Sequence, residues 1–177
     1  EENSDNKSRL RTLYQQSKEV NEILRPYYNS KGKYSLQLSI TLNNSPSKIS
    51  LTKRLLRKFD KSNKRYLVFA NNTNSSKEIT KYIYNSKTSD EYYNLFKEEK
   101  IPHLCLINKG GTGHTYKNLD GCILTSINSS NVDIIQKIGR TLLFREGYTA
   151  NIIILIFKNT MQKKWIMKAY VLLIKLQ

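Results

Sequence analysis

Negative charge is scarce in this chain. Its 177 residues contain 14 Asp and Glu against 30 Lys and Arg, so the formal net charge is +16. A surplus of this size favours a polyanionic partner, and nucleic acid is the first candidate. The alternative is a basic surface that only keeps the protein dissolved, in a composition set by an AT-rich genome.

Cysteines and long apolar runs are scarce too. The two cysteines, Cys105 and Cys122, lie inside apolar runs, where a thiol packs as a small hydrophobe. Two Cys and two His without paired ligand spacing indicate neither a disulfide framework nor a zinc site, so no metal is expected. Apolar stretches stay far below the roughly 20 residues of a membrane span, and "EENSDNKSRL" is not a signal peptide. We therefore expect a cytoplasmic protein that does not contact a membrane.

Glycine and proline are few, at 7 and 3, and no repeat or low-complexity linker divides the chain. Residues 1–46 are polar and are predicted to be a helical extension or an interdomain linker, with one helix that ends at Pro26. Residues 47–177 are predicted to form one domain. It begins with "SPSKISLTKRLLRKF", which has the pattern of a basic amphipathic helix.

Strands and helices are predicted to alternate after residue 65. The buried-strand candidates are "RYLVFA", "PHLCLI", "GCILTS" and "TANIIILIF". The helix candidates are "SSKEITKYIY" with a Ser cap, "SDEYYNLFKEEK" capped by Ser89 or Asp90, "SNVDIIQKIGRTLLF" and "TMQKKWIMKAYVLLIKL". This alternation predicts an α/β fold, a three-layer sandwich around a mainly parallel sheet.

Two stretches carry candidate chemistry. "KGGTGHT" resembles the end of a phosphate-binding P-loop, but Asn108 and His114 stand where the pattern needs Gly and Lys, so a stand-alone P-loop kinase is the least supported function. Its glycines instead predict a close-approach loop after a strand, where open α/β sheets bind ligands. In "QKIGRTLLF", helical spacing places Gln136, Gly139 and Arg140 on one face of a helix. Arg140 either reaches a phosphate from this face or belongs to a solvated basic face.

The order of these stretches resembles the C-terminal RecA-like domain of superfamily 2 helicases, especially phage DEAD/DEAH-type recombination helicases. "YLVFANN" is similar to motif IV, "NKGGTGHTYKNLD" to motif V and "QKIGRTLLFREG" to motif VI. The resemblance covers about residues 47–170. It implies a RecA-like sheet, ATP and Mg²⁺ as cofactors of the complete two-lobe protein, and host cytoplasm as the location if the protein is viral.

The resemblance implies roles for individual residues. In motif VI, Gln136 and Gly139 take the nucleotide-facing positions and Arg140 the arginine finger. The family's second finger position holds Leu143, so that role is lost unless Arg145 supplies it. The motif V positions near the nucleotide are Gly113 and Thr115. The positions that would contact a nucleic-acid strand are Asn71, Asn72, Lys109 and Thr112.

The family's activity needs two lobes, and this sequence resembles one of them. It contains no GxxxxGK[ST] stretch and no DExH or DEAD stretch. An arginine finger has nothing to act on without a phosphate cradle and a metal, so the chain by itself is expected not to hydrolyse ATP. The implied partners are nucleic acid, with DNA favoured over RNA, and an N-terminal RecA-like lobe in cis or in trans. The rival function is a non-enzymatic basic nucleic-acid-binding module derived from a degenerate helicase lobe.

Overall fold

The chain divides into two compact units, residues 1–40 and residues 41–177. The computed structural model describes residues 33–34, 36–107, 116, 118–139 and 149–175. In the first unit the described residues are helical and mostly exposed. The second unit contains every strand of the described part. The predicted domain boundary at residues 46 and 47 stays a prediction.

A five-stranded parallel sheet forms the centre of the second unit, with strand order β2-β3-β1-β4-β5. Its strands are β1 (Tyr66–Ala70), β2 (Ile83–Tyr84), β3 (His103–Ile107), β4 (Gly121–Leu124) and β5 (Asn151–Ile154). Val68 of the central strand lies opposite Cys105 on one side and Ile123 on the other. A run without polar residues suits this strand because both of its faces are buried.

Five of the described helices cover the two faces of the sheet. They are α1 (Pro46–Lys61), α2 (Thr73–Ile79), α3 (Glu91–Lys97), α4 (Asn131–Gly139) and α5 (Met161–Lys175). Leu67 and Phe69 point to a core cluster that includes residues of α3, α4 and α5. Tyr66 and Val68 point to a second cluster with residues of α1 and α2. The predicted three-layer α/β sandwich is confirmed.

Helix α1 follows its sequence pattern closely. Proline occupies its first turn, where a missing N–H costs nothing, and lysines occupy its last turn. Ile49 and Leu56 are buried in the core, while the other side of the helix carries basic residues. The predicted basic amphipathic helix is confirmed.

The prediction for "SSKEITKYIY" was partly wrong. The helix there is α2, which begins earlier and is capped by Asn72 rather than by a serine. The following Ile83 and Tyr84 leave the helical pattern and form the edge strand β2, paired with β3. A buried pair of β-prone residues gains more from pairing with the sheet than from extending a short helix.

Helix α5 packs on the sheet through one side. Trp165 and Ile166 pack against the core and Ala169 lies in it, whereas Tyr170 is 57 % exposed. Both cysteines are fully buried, which confirms the prediction that they are core residues. Among the described helices, none is long and apolar enough to cross a membrane.

Candidate nucleic-acid interface at the carboxyl edge of the sheet

A cavity of about 190 Å³ lies at the carboxyl ends of the central strands. Phe69 and Ala70 at the end of β1 and Leu106 near the end of β3 contribute to its lining. The other lining residues are mostly polar and come from the segment before α1, the β1–α2 and β4–α4 connections, and α4: Asn43, Asn71, Ser126, Ile127, Asn128, Asp133, Gln136 and Lys137. Open α/β sheets bind ligands at this edge.

The cavity brings together two residues that the sequence predicts in separate motifs. Asn71 follows β1 and Gln136 lies on α4, and both line the same cavity. Both side chains are exposed, and neither side-chain amide hydrogen-bonds to any residue that the structure describes. Two amides that offer donors and acceptors to a ligand therefore face one space.

Asn72, the next predicted residue, has a different environment. Its Oδ1 accepts the backbone N–H of Ser75 at 2.8 Å, so it is the N-cap of α2. Its Nδ2 donates to Oδ1 of Asn44 at 2.6 Å, and the Ser75 hydroxyl lies 3.2 Å from the same oxygen. The side chain of Asn72 therefore fixes the connection that presents Asn71.

Ser126 lines the cavity from the β4–α4 connection. It is 4 % exposed, and its hydroxyl has no hydrogen-bond partner within the described ranges. Ser126 therefore offers a further polar group toward the cavity.

The α4 side of the cavity is held by a local network. Asp133 Oδ2 accepts from Lys137 Nζ at 2.8 Å and from Asn128 Nδ2 at 3.2 Å. The Asp133 backbone N–H donates to Ser130 Oγ at 3.3 Å, and the Ser130 N–H donates to Asn128 Oδ1 at 3.0 Å. These contacts stiffen the start of α4, the helix that carries Gln136.

A buried polar cluster supports the same edge from behind. Asn43 Nδ2 donates to the carbonyl of Ile127 at 3.1 Å, and its Oδ1 accepts from Gln162 Nε2 at 2.9 Å. Gln162, which is 1 % exposed, also accepts the backbone N–H of Phe157 at 3.2 Å through Oε1. The cluster ties the residues before α1, the β4–α4 connection and the start of α5 together.

Lys48 completes this cluster. Its Nζ donates to the carbonyl of Thr125 at 3.1 Å and to Gln162 Oε1 at 3.3 Å, and it lies 5.5 Å from the ring centre of Phe157. Burial lowers the pKa of Lys48 to about 8, because the charged ammonium is desolvated. A buried lysine beside the carboxyl edge adds positive charge to this region at neutral pH.

Gly139 is the last described residue of α4. A Cβ built at this position would meet no atom of the described part of the chain within 4 Å. The surface beside Gly139 is therefore open, as expected for a position that another backbone approaches. Six predicted site residues lie outside the described residues: Lys109, Thr112, Gly113, Thr115, Arg140 and Arg145.

Several residues of this edge lie outside every motif in the sequence. Asn43 lies in the segment that was predicted to be an extension, and Lys48 in a helix whose other basic residues are mostly exposed. Ser126 and Gln162 are ordinary polar residues at element boundaries. One sequence signal for the burial of Lys48 was available. Lys48 precedes Ile49 and lies four residues before Thr52, which places it on the side of α1 that faces the core.

His103, Tyr92 and Tyr93 have structural partners. The ring of His103 lies 3.0 Å from Asp60 Oδ1 through Nδ1 and 2.9 Å from Thr80 Oγ1 through Nε2, at the amino end of β3. Tyr92 contacts Tyr82 edge to face, and Tyr93 stacks on Tyr84. Across the described ranges, no three His, Cys, Asp or Glu residues form a group that could hold a metal ion.

Solved structures share this architecture. The C-terminal part of the Fun30 ATPase domain matches with a TM-score of 0.57 and 20 % identity, over 69 % of this chain and 44 % of that one. Domain 2 of the DEAD-box helicase Mss116p, bound to an RNA duplex, matches with a TM-score of 0.54 and 18 % identity, over 72 % of this chain and 55 % of that one.

No family model and no curated protein matches the sequence. At these identities the structural likeness establishes the fold alone, which is a RecA-like α/β fold. This confirms the predicted fold class. The chain covers about half the length of each of these two structures.

Proposed function

We propose that this chain is the C-terminal lobe of an ATP-dependent nucleic-acid helicase or translocase. The observation that carries the proposal is the cavity at the carboxyl edge, where Asn71 of the motif IV-like stretch and Gln136 of the motif VI-like stretch line one space. The RecA-like fold and the net charge of +16 support it. One of the two similar structures described above is a helicase domain bound to an RNA duplex.

Nucleic acid contacts the carboxyl edge in this proposal. Asn71 offers an exposed amide to the strand, and Asn72 holds the connection in place through its cap and its bond to Asn44. Amide, hydroxyl and lysine groups of this kind bind phosphate and sugar without reading sequence. Lys109 and Thr112 are the further contacts that the motif V-like stretch implies, and DNA is the favoured substrate.

ATP is bound between this lobe and an N-terminal RecA-like lobe, supplied in cis or in trans. Gln136 and Gly139 fit a nucleotide-facing surface, because the first is an exposed, unengaged amide and the second leaves open space. Gly113, Thr115, Arg140 and Arg145 are the further nucleotide-facing positions implied by the motifs. Bound ATP and Mg²⁺ would supply the phosphoryl group and its counter-charge, and Arg140 would stabilise the charge that develops on that group.

Binding of the same oligonucleotide sequence as DNA and as RNA tests the nucleic-acid half of the proposal. We expect Asn71→Ala to weaken binding severalfold, and Glu78→Gln, an exposed substitution on α2 that removes one negative charge, to leave it equal or slightly tighter. Fluorescence anisotropy at fixed salt measures both. Unchanged affinity in Asn71→Ala would remove the carboxyl edge as the contact surface.

Nucleotide dependence separates a motor lobe from the non-enzymatic rival. In the natural protein, a motor lobe changes its nucleic-acid affinity when ATP is added. A module that binds by charge alone keeps its affinity and shows only a steep dependence on salt. Leu143, at the second finger position, is the residue that favours the rival.

A further inference from the structure

The outward side of α1 carries a dense group of positive charges. Arg54, Arg57, Lys58 and Lys61 are all exposed, and we call them the α1 basic face. Lys64 follows just beyond the helix and is also exposed. The buried side of the same helix, with Ile49, Thr52 and Leu56, packs against the sheet. The packing of α1 against the sheet therefore does not depend on these cations.

The α1 basic face is not neutralised by ion pairs within the described ranges. The pairs found there join Arg65 to Glu99, Lys100 to Glu98, His103 to Asp60 and Lys137 to Asp133. Asp60 is the acidic residue of α1, and its carboxylate faces the His103 ring. Four exposed cations within two turns therefore repel one another unless an external anion neutralises them.

This face is separate from the cavity at the carboxyl edge. The last turn of α1 lies at the opposite edge of the sheet, because Phe59 stacks at 4.0 Å on Tyr66, the first residue of β1. Asp60 in the same turn contacts His103, the first residue of β3. Lys48, by contrast, reaches Thr125 just beyond the carboxyl end of β4. The α1 basic face thus extends along the side of the domain toward the amino ends of the strands.

The chemistry of the α1 basic face fits a phosphate backbone better than a membrane. Among the described residues, the large apolar side chains that are exposed do not include any from α1. A helix that lies in a membrane interface needs an apolar face to insert. From Arg54 to Lys61 the helix axis rises about 10 Å, and duplex DNA presents one charge per roughly 1.7 Å of its axis. Several phosphates can therefore face these cations at once.

We propose that the α1 basic face is a second nucleic-acid-binding surface, which contacts the phosphate backbone without sequence preference and independently of nucleotide. It adds to the carboxyl edge a second point of attachment on the side of the lobe. The surface binds whether or not Asn71 contacts nucleic acid, so the two proposals fail separately.

Two triple variants with the same loss of charge test the proposal. The first is Arg54→Gln, Arg57→Gln and Lys61→Gln on α1. The second, on the exposed side of α5, is Lys163→Gln, Lys164→Gln and Lys168→Gln. Each removes three positive charges from exposed positions, so both chains should keep the thermal midpoint of the wild type within a few degrees. The binding of one duplex and one single-stranded DNA is then measured between 50 and 200 mM salt.

We expect the α1 variant to bind at least about tenfold more weakly at the lowest salt, and the slope of log K against log salt to fall by about 2 to 3. The α5 variant should lose less than about threefold. Arg54→Lys with Arg57→Lys should keep most of the affinity, since it preserves the charge. Asn71→Ala leaves the contribution of the α1 basic face intact.

Two results would overturn the proposal. Equal losses in the two triple variants would show that net charge alone determines binding. An α1 variant that binds DNA like the wild type, but no longer binds vesicles of phosphatidylserine and phosphatidylcholine, would assign the α1 basic face to membranes instead.

Discussion

The side-chain amide of Asn72 donates a 2.6 Å hydrogen bond to the side-chain oxygen of Asn44. The same asparagine caps α2 through the backbone N–H of Ser75. Its neighbour Asn71 is exposed and makes no side-chain hydrogen bond to a described residue. Two consecutive asparagines of one motif therefore have different tasks, since one holds the local structure and the other faces the cavity.

Substitution of the two asparagines should separate stability from binding. Asn72→Ala removes a helix cap and leaves Asn44 with one partner fewer, so it should lower the free energy of unfolding by about 1–2 kcal/mol. Asn71→Ala should change it by less than about 0.5 kcal/mol, because the side chain is exposed. Urea denaturation measures both. Equal stabilities of the two variants would contradict the assignment of Asn72 as the cap.

Two glycines should respond in opposite directions to alanine. A Cβ at Gly121 would lie 2.1 Å from the carbonyl oxygen of Asn151 and 2.7 Å from the Tyr66 ring, so β4 and β5 would have to separate. Gly121→Ala should cost at least about 2 kcal/mol of stability.

Gly139→Ala meets open space in a helix, and should be neutral or stabilising by up to about 1 kcal/mol. If the proposed function holds, the same change should reduce ATP turnover in the natural protein, because the added methyl group would occupy the surface assigned to the nucleotide or the other lobe. Thermal unfolding and turnover are measured on the same sample. A Gly139→Ala protein that loses stability and turnover together would indicate a packing role instead.

The buried Lys48 should give the protein a distinct pH dependence. Its pKa falls from 10.5 in the unfolded chain to about 8 in the fold, so between these values the unfolded state binds more protons. Below pH 8 the lysine is charged in both states and the burial penalty is fully present. The free energy of unfolding should therefore rise from pH 8 toward 10.5, relative to that of Lys48→Met.

The comparison uses urea denaturation of both proteins at several pH values in this window. Other lysines and tyrosines titrate nearby, and the difference between the two proteins cancels their contributions. Lys77→Met, which removes an exposed lysine from α2, reports the effect of losing one surface charge. A Lys48→Met difference that is constant from pH 7.5 to 10 would contradict a desolvated ammonium.

Thiol reagents should not reach Cys105 in the folded protein. Its pKa is raised to about 12 by burial, and only the thiolate is reactive. Alkylation at pH 8 should modify it only in urea, or at the rate at which the structure opens. Peptide mapping by mass spectrometry identifies the modified residue. Rapid alkylation of Cys105 without denaturant would show that β3 is exposed.

The fold was predictable because its signals are local and strong. "YLVFA" and "HLCLI" contain no Asp, Glu, Lys or Arg, so each can be buried on both faces of a parallel sheet. The edge strand β2 was missed because two residues, Ile83 and Tyr84, show no periodicity and gain their structure from pairing with β3. Such pairing over long sequence separation is not visible in a local pattern.

The candidate site was predictable only where a motif carried it. Asn71 and Gln136 were found by their place in the motif order. The cluster of Asn43, Lys48 and Gln162 joins residues up to 119 positions apart, and no local spacing records such a contact. Asn43 and Gln162 have no sequence pattern that marks them, so burial alone distinguishes them.

Arg140, the proposed arginine finger, offers the most direct test of the proposed function. In the natural protein that contains this chain, Arg140→Ala should lower nucleic-acid-stimulated ATP turnover by about 10³-fold or more, because the guanidinium stabilises charge in the transition state. Arg140→Lys should recover little, since lysine lacks the planar fork. Nucleic-acid affinity should stay near that of the wild type. Unchanged ATP turnover in Arg140→Ala would contradict the assignment of this chain as the C-terminal lobe of an ATP-driven motor.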